Sequence, residues 1–336
     1  MSKTILIPGG AGYIGSHTAY LLTQKGYKVI ILDKLIHNQK FDHKWTTLIK
    51  EDFSNEEILD KIFRIHKIDA VMHFAAFIEV GESVKKPQDF YHNNVIKTIK
   101  LIDSMIKHKV KNFIFSSSCA VYGEPVKTPM DEGNPLDPIS PYGKNKLAVE
   151  FALQDYSKAY DFRYISLRYF NASGAMPEAG LGEQHDPETH IIPLMLRAIK
   201  HKTTFKIFGT DYCTPDGSCI RDYIHVLDIA DAHVLALEHL EKTGKSDEFN
   251  LGSGKGFSVK EMVNYAEKAC GQKMKIREEA RRPGDPAILL ADPSKAKKVL
   301  GWQTPNSNLE NIIQSALEWE DLSIKKSDPS ANILTT

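Results

Sequence analysis

The chain has 336 residues, with 43 Lys and Arg against 43 Asp and Glu and a formal net charge of zero, so there is no electrostatic case for nucleic acid or an anionic membrane as partner. That length suits two domains, or one large α/β domain with an elaboration. No stretch approaches the roughly 20 apolar residues of a membrane span, and a strand-like run begins almost at once, so neither a membrane anchor nor a signal peptide is expected.

Lys3-Thr4-Ile5-Leu6-Ile7 reads as the first strand. It leads into Pro8-Gly9-Gly10-Ala11-Gly12-Tyr13-Ile14-Gly15, and a helical pattern follows over Ser16–Gln24. Strand, glycine loop and helix together make a phosphate cradle. Gly9 permits a tight turn, Gly12 lets a pyrophosphate reach the backbone, and Gly15 lets the helix pack close to the strand. The spacing is Gly-x-x-Gly-x-x-Gly, and a bare glycine turn need hold no ligand. The next strand, Tyr27 to Leu32, supplies the second argument, because it ends at Asp33. A carboxylate there accepts hydrogen bonds from an adenosine ribose and repels a 2′-phosphate, which favours NAD over NADP. Lys34, next in the chain, weakens that preference slightly.

Strand-like runs recur at Ile5–Ile7, Val29–Leu32, Ala70–Phe74, Asn112–Ser116 and Arg163–Arg168. Most are continuously apolar, as strands covered on both faces must be. Helical patterns lie between them at Asn55–His66, Asn93–His108 and Lys144–Tyr160. The alternation predicts an α/β fold with a Rossmann-type, doubly wound parallel sheet that binds ligands at the carboxyl ends of its strands.

The character changes after residue 172. Asn171 to Glu188 is rich in Gly, Pro and acidic residues and reads as loop. Glu183, His185, Asp186, Glu188 and His190 fall in or beside it, but no pair has a recognised metal spacing, so no metal is expected. Shorter elements follow: a helix near Ile191–His201, a strand at Phe205–Phe208, a helix near Val226–Leu240, a strand at Phe249–Leu251 and a helix at Val259–Cys270. The predicted division is a dinucleotide-binding domain over 1–172 and a smaller mixed α/β substrate domain over 173–322. Segments near 222–240 are expected to return to the first domain, and the polar tail 323–336 is expected to be disordered. Cys119, Cys213, Cys219 and Cys270 form no Cys-x-x-Cys pair, which predicts reduced thiols and a cytoplasmic setting.

The candidate chemistry sits at the fourth strand and the helix after it. Tyr142 and Lys146 lie four residues apart, just after Pro138-Ile139-Ser140-Pro141, and so share a helix face. A nearby ammonium lowers a phenol's pKa, which suits Tyr142 as a base. Phe115-Ser116-Ser117-Ser118 ends the strand, and a serine there could hydrogen-bond a reacting hydroxyl. The bland alternative is a surface Tyr–Lys pair beside a polar strand end.

With the glycine loop, the Ser-Ser-Ser strand end and Tyr-x-x-x-Lys, the chain resembles the extended short-chain dehydrogenases/reductases. It is most similar to their UDP-glucose 4-epimerase family. His73-Phe74-Ala75-Ala76, Val80-Gly81-Glu82-Ser83-Val84, Asn93-Asn94-Val95 and Leu167-Arg168-Tyr169-Phe170-Asn171 continue the likeness. So do Ile207-Phe208-Gly209-Thr210-Asp211-Tyr212, Arg221-Asp222-Tyr223-Ile224-His225 and Arg282-Pro283-Gly284-Asp285.

The resemblance implies permanently bound NAD and an isomerase of galactose metabolism. In such an enzyme Tyr142, helped by Ser118 and Lys146, takes the proton of the sugar 4-hydroxyl. NAD takes the C4 hydride and returns it to the other face of the sugar. The implied cofactor contacts are Gly9, Gly12, Tyr13, Ile14, Gly15, Asp33, Lys34, Asp52, Phe53, Phe74, Ala75, Ala76, Asn93, Ser116, Tyr142, Lys146 and Phe170. The implied substrate contacts are Ser118, Tyr142, Asn171, His190, Ile191, Phe208, Arg221, Tyr223, Arg282, Asp285 and Leu289, with both arginines suited to a diphosphate. The resemblance also implies UDP-glucose and UDP-galactose as partners, and a homodimer paired through Asn93–His108 and Lys144–Tyr160.

Three positions depart from the family pattern. Pro8 precedes the glycines where Thr is frequent, Ile78 stands where some members have Lys, and Leu289 is intermediate at a gate between plain and N-acetylated sugars. A 4,6-dehydratase would need acids just after the serine strand, and this chain has Cys119 and Ala120 there. A sensor or scaffold that had lost catalysis would be expected to lack Tyr142, Lys146 or Ser118. A 4-epimerase of N-acetylated, uronate or pentose UDP-sugars remains the alternative.

Overall fold

The computed structural model describes residues 2–36, 41, 43–185, 187–282 and 285–327. In the first half the order is β1 (Thr4–Pro8), α1 (Tyr13–Gln24), β2 (Lys28–Leu32), β3 (Thr47–Ile49), α2 (Glu56–Ile65), β4 (Ile68–His73), α3 (Val80–Lys85), α4 (Pro87–Tyr91), α5 (Lys97–Lys107), β5 (Asn112–Ser118), α6 (Pro141–Ala159) and β6 (Arg163–Tyr169). The second half holds β7 (Asn171–Ser173), α7 (Ile191–Lys200), β8 (Thr204–Phe208), β9 (Ile220–His225), α8 (Val226–Thr243), β10 (Asp247–Leu251), β11 (Gly256–Ser258), α9 (Val259–Cys270), β12 (Lys275–Glu279), β13 (Ile288–Leu289), α10 (Ser294–Leu300) and α11 (Leu309–Ser327).

Seven strands form one sheet in the order β10-β6-β5-β4-β1-β2-β3, and every neighbouring pair is parallel. This is the Rossmann-type sheet expected from the sequence. Alternate side chains of β1 feed opposite layers, as the pleat requires. Ile5 and Ile7 join a core with Ala19 and Leu22 of α1, Ala232 and Ala236 of α8, and Ala296 of α10. Leu6 joins the other core, with Leu59 of α2, Leu101 of α5 and Val149 of α6. The chain leaves β1 toward β2 on one side and reaches β4 on the other. Ligands of open α/β sheets bind at that reversal.

The smaller half is built on β9, which takes β11, β13 and β7 as partners. Its core packs α7, α9 and α11 through Met195, Met262 and Ile312. Segments returning to the large sheet reach further than the sequence suggested. Besides α8, they include the edge strand β10 and α10. The pattern over Asn93–His108 is not one regular helix. A π-helical turn occupies His92–Ile96 and α5 starts at Lys97. Buried Asn94 exchanges two hydrogen bonds with the Phe77 backbone, at 2.8 and 2.9 Å, and so fixes that turn against the loop after β4. At the other end α11 runs through Ser327, past the start of the tail expected to be irregular, while 328–336 lie outside the described residues. No helix among the described residues is long and apolar enough to cross a membrane.

Candidate active site

A cavity of about 360 Å³ opens at the carboxyl ends of the central strands. Gly9, Gly12, Tyr13, Ile14 and Gly15 line it from the first loop. Asp33, Lys34, Asp52 and Phe53 line it from the β2 and β3 side, and Phe74, Ala75, Ala76, Asn93, Ser116 and Phe170 from the β4–β6 side. Tyr142, Lys146 and Ser118 complete the wall. Every cofactor residue expected from the sequence is thus brought to one place. Pro8 does not disturb the entry. Its carbonyl accepts the Phe74 and Ala75 N–H groups at 2.9 and 3.0 Å, and Gly9 N–H reaches Leu32 O. Ile78 also lines the cavity.

Asp33 stands just past β2. Its Oδ2 accepts the Ala11 N–H at 3.1 Å and its Oδ1 the Leu35 N–H at 2.8 Å, so the carboxylate braces the glycine loop. Lys34 is turned to Asp52, at 3.0 Å, and Lys97 reaches the same oxygen at 2.8 Å. Burial alone would push the Asp52 carboxyl up. Bonds from Lys97, Ser54 and Lys34 hold it well below the usual carboxylate range. The cation beside Asp33 is therefore paired with Asp52.

Ser140 caps α6, its Oγ accepting the Gly143 N–H at 3.1 Å, and Pro141 occupies the first turn. That start places Tyr142 and Lys146 on the cavity face. Lys146 Nζ donates to Ser116 O at 2.7 Å and stands 5.8 Å from the centre of the Tyr142 ring. Burial pushes the Lys146 ammonium down to about 7, against the pull of Glu150. Burial also pushes the Tyr142 phenol up to about 12, against a hydrogen bond with Ser118. This corrects the sequence-based expectation, which counted the ammonium and not the dryness of the site. The pair alone does not make a phenolate at neutral pH.

Glu150, one turn beyond Lys146, was not singled out from the sequence. It is fully buried and accepts Arg168 Nε and Nη2 at 3.0 and 2.6 Å, and Ser117 Oγ at 2.6 Å. It thereby ties α6 to β5 and β6 one turn beyond the face that carries Tyr142 and Lys146. A Tyr-x-x-x-Lys-x-x-x-Glu spacing was the available signal, since it puts all three side chains on one helix face.

The expected substrate residues fall into two groups. Asn171 and His190 line the cavity with Ser118 and Tyr142. Ile191, Phe208, Arg221, Tyr223, Arg282, Asp285 and Leu289 stand beyond its lining, around β9. Asn171 joins the groups, for it lies opposite Tyr223 and its Nδ2 donates to Asp222 O at 2.8 Å. Arg221 Nη2 donates to Asp285, Arg282 approaches the same carboxylate at 3.8 Å, and the Arg282 guanidinium lies 4.7 Å from the centre of the Phe208 ring. Arg282 is 63% exposed and Arg221 only 10%, so one cation is anchored and the other faces solvent. Leu289 pairs with Arg221 and packs against the apolar cluster that contains Val121 and Phe170. Pro283 and Gly284 lie outside the described residues.

The family model described as "NAD dependent epimerase/dehydratase family" matches residues 5–252. The chain belongs to that family. A UDP-glucose 4-epimerase of Halalkalibacterium halodurans is 48% identical over 94% of this chain and 95% of its own. A structure of UDP-glucose 4-epimerase from Brucella ovis in complex with NAD superposes with a TM-score of 0.89 at 45% identity, over 94% of this chain and 98% of that one. The UDP-Glc/GlcNAc 4-epimerase of Campylobacter jejuni is 40% identical, with a TM-score of 0.83 over 96% and 100% of the two chains. The glycine loop fits the dinucleotide in the name of this epimerase/dehydratase family. A Cβ on Gly15 would lie 2.4 Å from Gly9 O, so the helix needs glycine there to close on the loop. A Cβ on Gly12 would meet only Gly9 O, at 3.3 Å, and so would enter the space left for a phosphate.

Proposed function

We propose that this chain is an isomerase that interconverts UDP-galactose and UDP-glucose, oxidising sugar C4 transiently and returning the hydride to the opposite face. The observation that carries the reading is the meeting of Tyr142, Ser118 and Lys146 with the glycine loop and Asp33 in one cavity. Likeness to UDP-glucose 4-epimerases over nearly the whole chain supports the choice of sugar. NAD, which the glycine loop and Asp33 would hold, would supply the hydride acceptor. Tyr142 takes the 4-hydroxyl proton, Ser118 orients that hydroxyl, and Lys146 holds its proton near the phenol. Arg221 and Arg282 grip the diphosphate, Asn171, Ile191, Phe208, Tyr223 and Asp285 hold the uridine nucleotide, and His190 is a further substrate contact. Firm nucleotide contacts with a loosely held sugar let the ketopyranose turn over between the two hydride transfers.

Purified protein incubated separately with UDP-galactose, UDP-N-acetylgalactosamine and UDP-galacturonate, and followed by NMR, tests the reading. Epimerisation of UDP-galactose is expected to be fastest, and denatured protein should release NAD. No epimerisation of UDP-galactose, or release of NADP alone, would overturn it.

A second reading, a 4-epimerase that also takes N-acetylated UDP-sugars, is favoured by the likeness to the Campylobacter jejuni protein and by the absence of a ring at Leu289. An acetamido group needs the volume that Leu289 partly fills. Leu289→Ser should raise kcat/KM for UDP-N-acetylglucosamine relative to UDP-glucose by roughly 10–200-fold at most, the value of a small change in pocket volume. An unchanged ratio would remove Leu289 as the gate.

The proposal includes a homodimer in the cytoplasm. Ile102 and Leu147 face the core, but Ile96 and Phe151 remain about half exposed, at 49% and 51%, on the two segments the family uses to pair. Light scattering at micromolar concentration should give twice the chain mass, and a monomer mass would refute the dimer. Four free cysteines agree with a reducing compartment.

A further inference from the structure

Asp222 sits in the middle of β9, between two residues assigned to the nucleotide, Arg221 and Tyr223. Successive side chains of a strand face opposite ways, so the Asp222 carboxylate lies behind the face that carries the other two. It is fully buried. Its Oδ1 accepts the Ser253 N–H and the Ser253 hydroxyl, both at 2.7 Å, and its Oδ2 accepts the Gly254 and Ala291 N–H groups at 3.0 and 3.2 Å. Its backbone carbonyl accepts Asn171 Nδ2 at 2.8 Å. One residue therefore joins β7, β9, the turn between β10 and β11, and the segment after β13. That turn comes so close that a Cβ on Gly252 would lie 2.6 Å from Asp222 Oδ2 and 2.4 Å from Ala291 Cβ. Strand β13 has only two residues, and Leu289 in it lies opposite Arg221. So short a strand needs outside contacts to fix its place. The Met130 N–H supplies one, to Leu290 O at 2.8 Å, and Asp222 supplies another at Ala291.

We propose that Asp222 is a positioning residue for the UDP-sugar, holding Arg221, Tyr223, Asn171 and Leu289 in the one arrangement that fits it. This rests on the UDP-sugar reading above and adds to it a residue whose carboxylate is enclosed by protein donors. The chemistry asks for a carboxylate. Four donors converge on two oxygens, and an ionised Asp only accepts. Asn has the same shape but would turn its NH2 toward two donor groups and leave them unmet. A buried charge adds little net stability even when well bonded, and burial pushes the Asp222 carboxyl up to about 6 against all four bonds. What it does provide is a fixed geometry, since both of its oxygens are committed. None of its bonds reaches Tyr142, Ser118 or Lys146, so its loss should be felt in binding rather than in the chemical step.

The test uses the full chain and two variants, Asp222→Asn and Ser253→Ala, the second removing one hydroxyl bond while leaving the charge in place. UDP binding is measured by titration calorimetry, and turnover of UDP-galactose by NMR. Asp222→Asn should weaken the Kd for UDP and raise KM by at least roughly tenfold and up to about 10²-fold, the reach of a small misplacement. Its kcat and the NAD released on denaturation should stay close to those of the parent. Ser253→Ala should move Kd and KM the same way by less, and it decides the matter if Asp222→Asn does not fold. Unchanged Kd and KM in the folded variants, or a fall in kcat at unchanged KM, would overturn the positioning role even where the melting temperature drops. If the parent itself binds no UDP, the UDP-sugar reading fails first and this one with it.

Discussion

Tyr142→Phe should lower the epimerisation rate by roughly 10²–10⁴-fold, the range for losing a general base, while leaving fold and NAD content unchanged. Phe fills the same volume, and Lys146 keeps its 2.7 Å bond to Ser116 O. What disappears is the hydroxyl that hydrogen-bonds Ser118 and, in the proposed mechanism, receives the substrate proton. The measurement is the rate of UDP-glucose formation at saturating UDP-galactose, with NAD assayed after denaturation. A variant within tenfold of the parent would exclude Tyr142 as the base. Lys146→Met makes the companion case through pH. Burial holds the phenol up at about 12 and brings the ammonium down to about 7. Each positive charge near the phenol favours its ionised form, so removing one raises the pH at which the base is available. The acidic limb of the rate profile should move to higher pH, and an unmoved limb in an active variant would count against this role.

The largest effect on stability is expected at Glu150. Its carboxylate is fully buried, and Arg168, on β6, is equally enclosed behind it. Arg168 Nη1 also reaches Tyr122 Oη at 2.9 Å, and Tyr122 in turn donates to Asn250 of β10 at 2.7 Å. Glu150→Ala would leave a guanidinium in the core with no counter-charge. Breaking such a pair from one side typically costs about 3–5 kcal/mol. Urea unfolding followed by tryptophan fluorescence measures it, and a loss below about 1 kcal/mol would show that the pair is not holding the core. A double replacement, Glu150→Leu with Arg168→Met, should recover much of the loss, because the desolvation of both charges is removed together. Recovery would separate the effect of an orphaned charge from that of lost packing.

The contrast between these two sites shows what could be read along the chain. Tyr142 and Lys146 are close in sequence, and helix geometry alone places them together. The strands of the large sheet were legible for a similar reason, since burial on both faces leaves continuous apolar runs such as Val29–Leu32. The Glu150–Arg168 pair was not, because each residue taken alone looks like a solvated charge. The same holds for β9, whose Ile220-Arg221-Asp222-Tyr223-Ile224-His225 stretch carries charge in the middle of a buried strand. Asp222 is tolerated there because Ser253, Gly254 and Ala291 all donate to its carboxylate. Those partners lie far along the chain. Family likeness marked Arg221 and Tyr223 as functional, but periodicity could not make them a strand. The pKa of Tyr142 failed in the same way: a spacing rule sees the neighbouring charge and not the desolvation.

The placement of β10 bears on how the polypeptide is made. β6 leaves the ribosome with its outer edge open, and its partner, Asp247–Leu251, is synthesised only after β7, α7, β8, β9 and α8. Until then the nascent sheet presents an unpaired row of backbone donors and acceptors, the kind of edge along which chains associate wrongly. A fragment ending near Ser173 would keep that edge permanently, along with an Arg168–Tyr122 pair lacking the Asn250 that completes it. The nucleotide-binding half is therefore not a separable cassette for truncation or domain exchange, since its last strand is encoded beyond the segments that begin the other half.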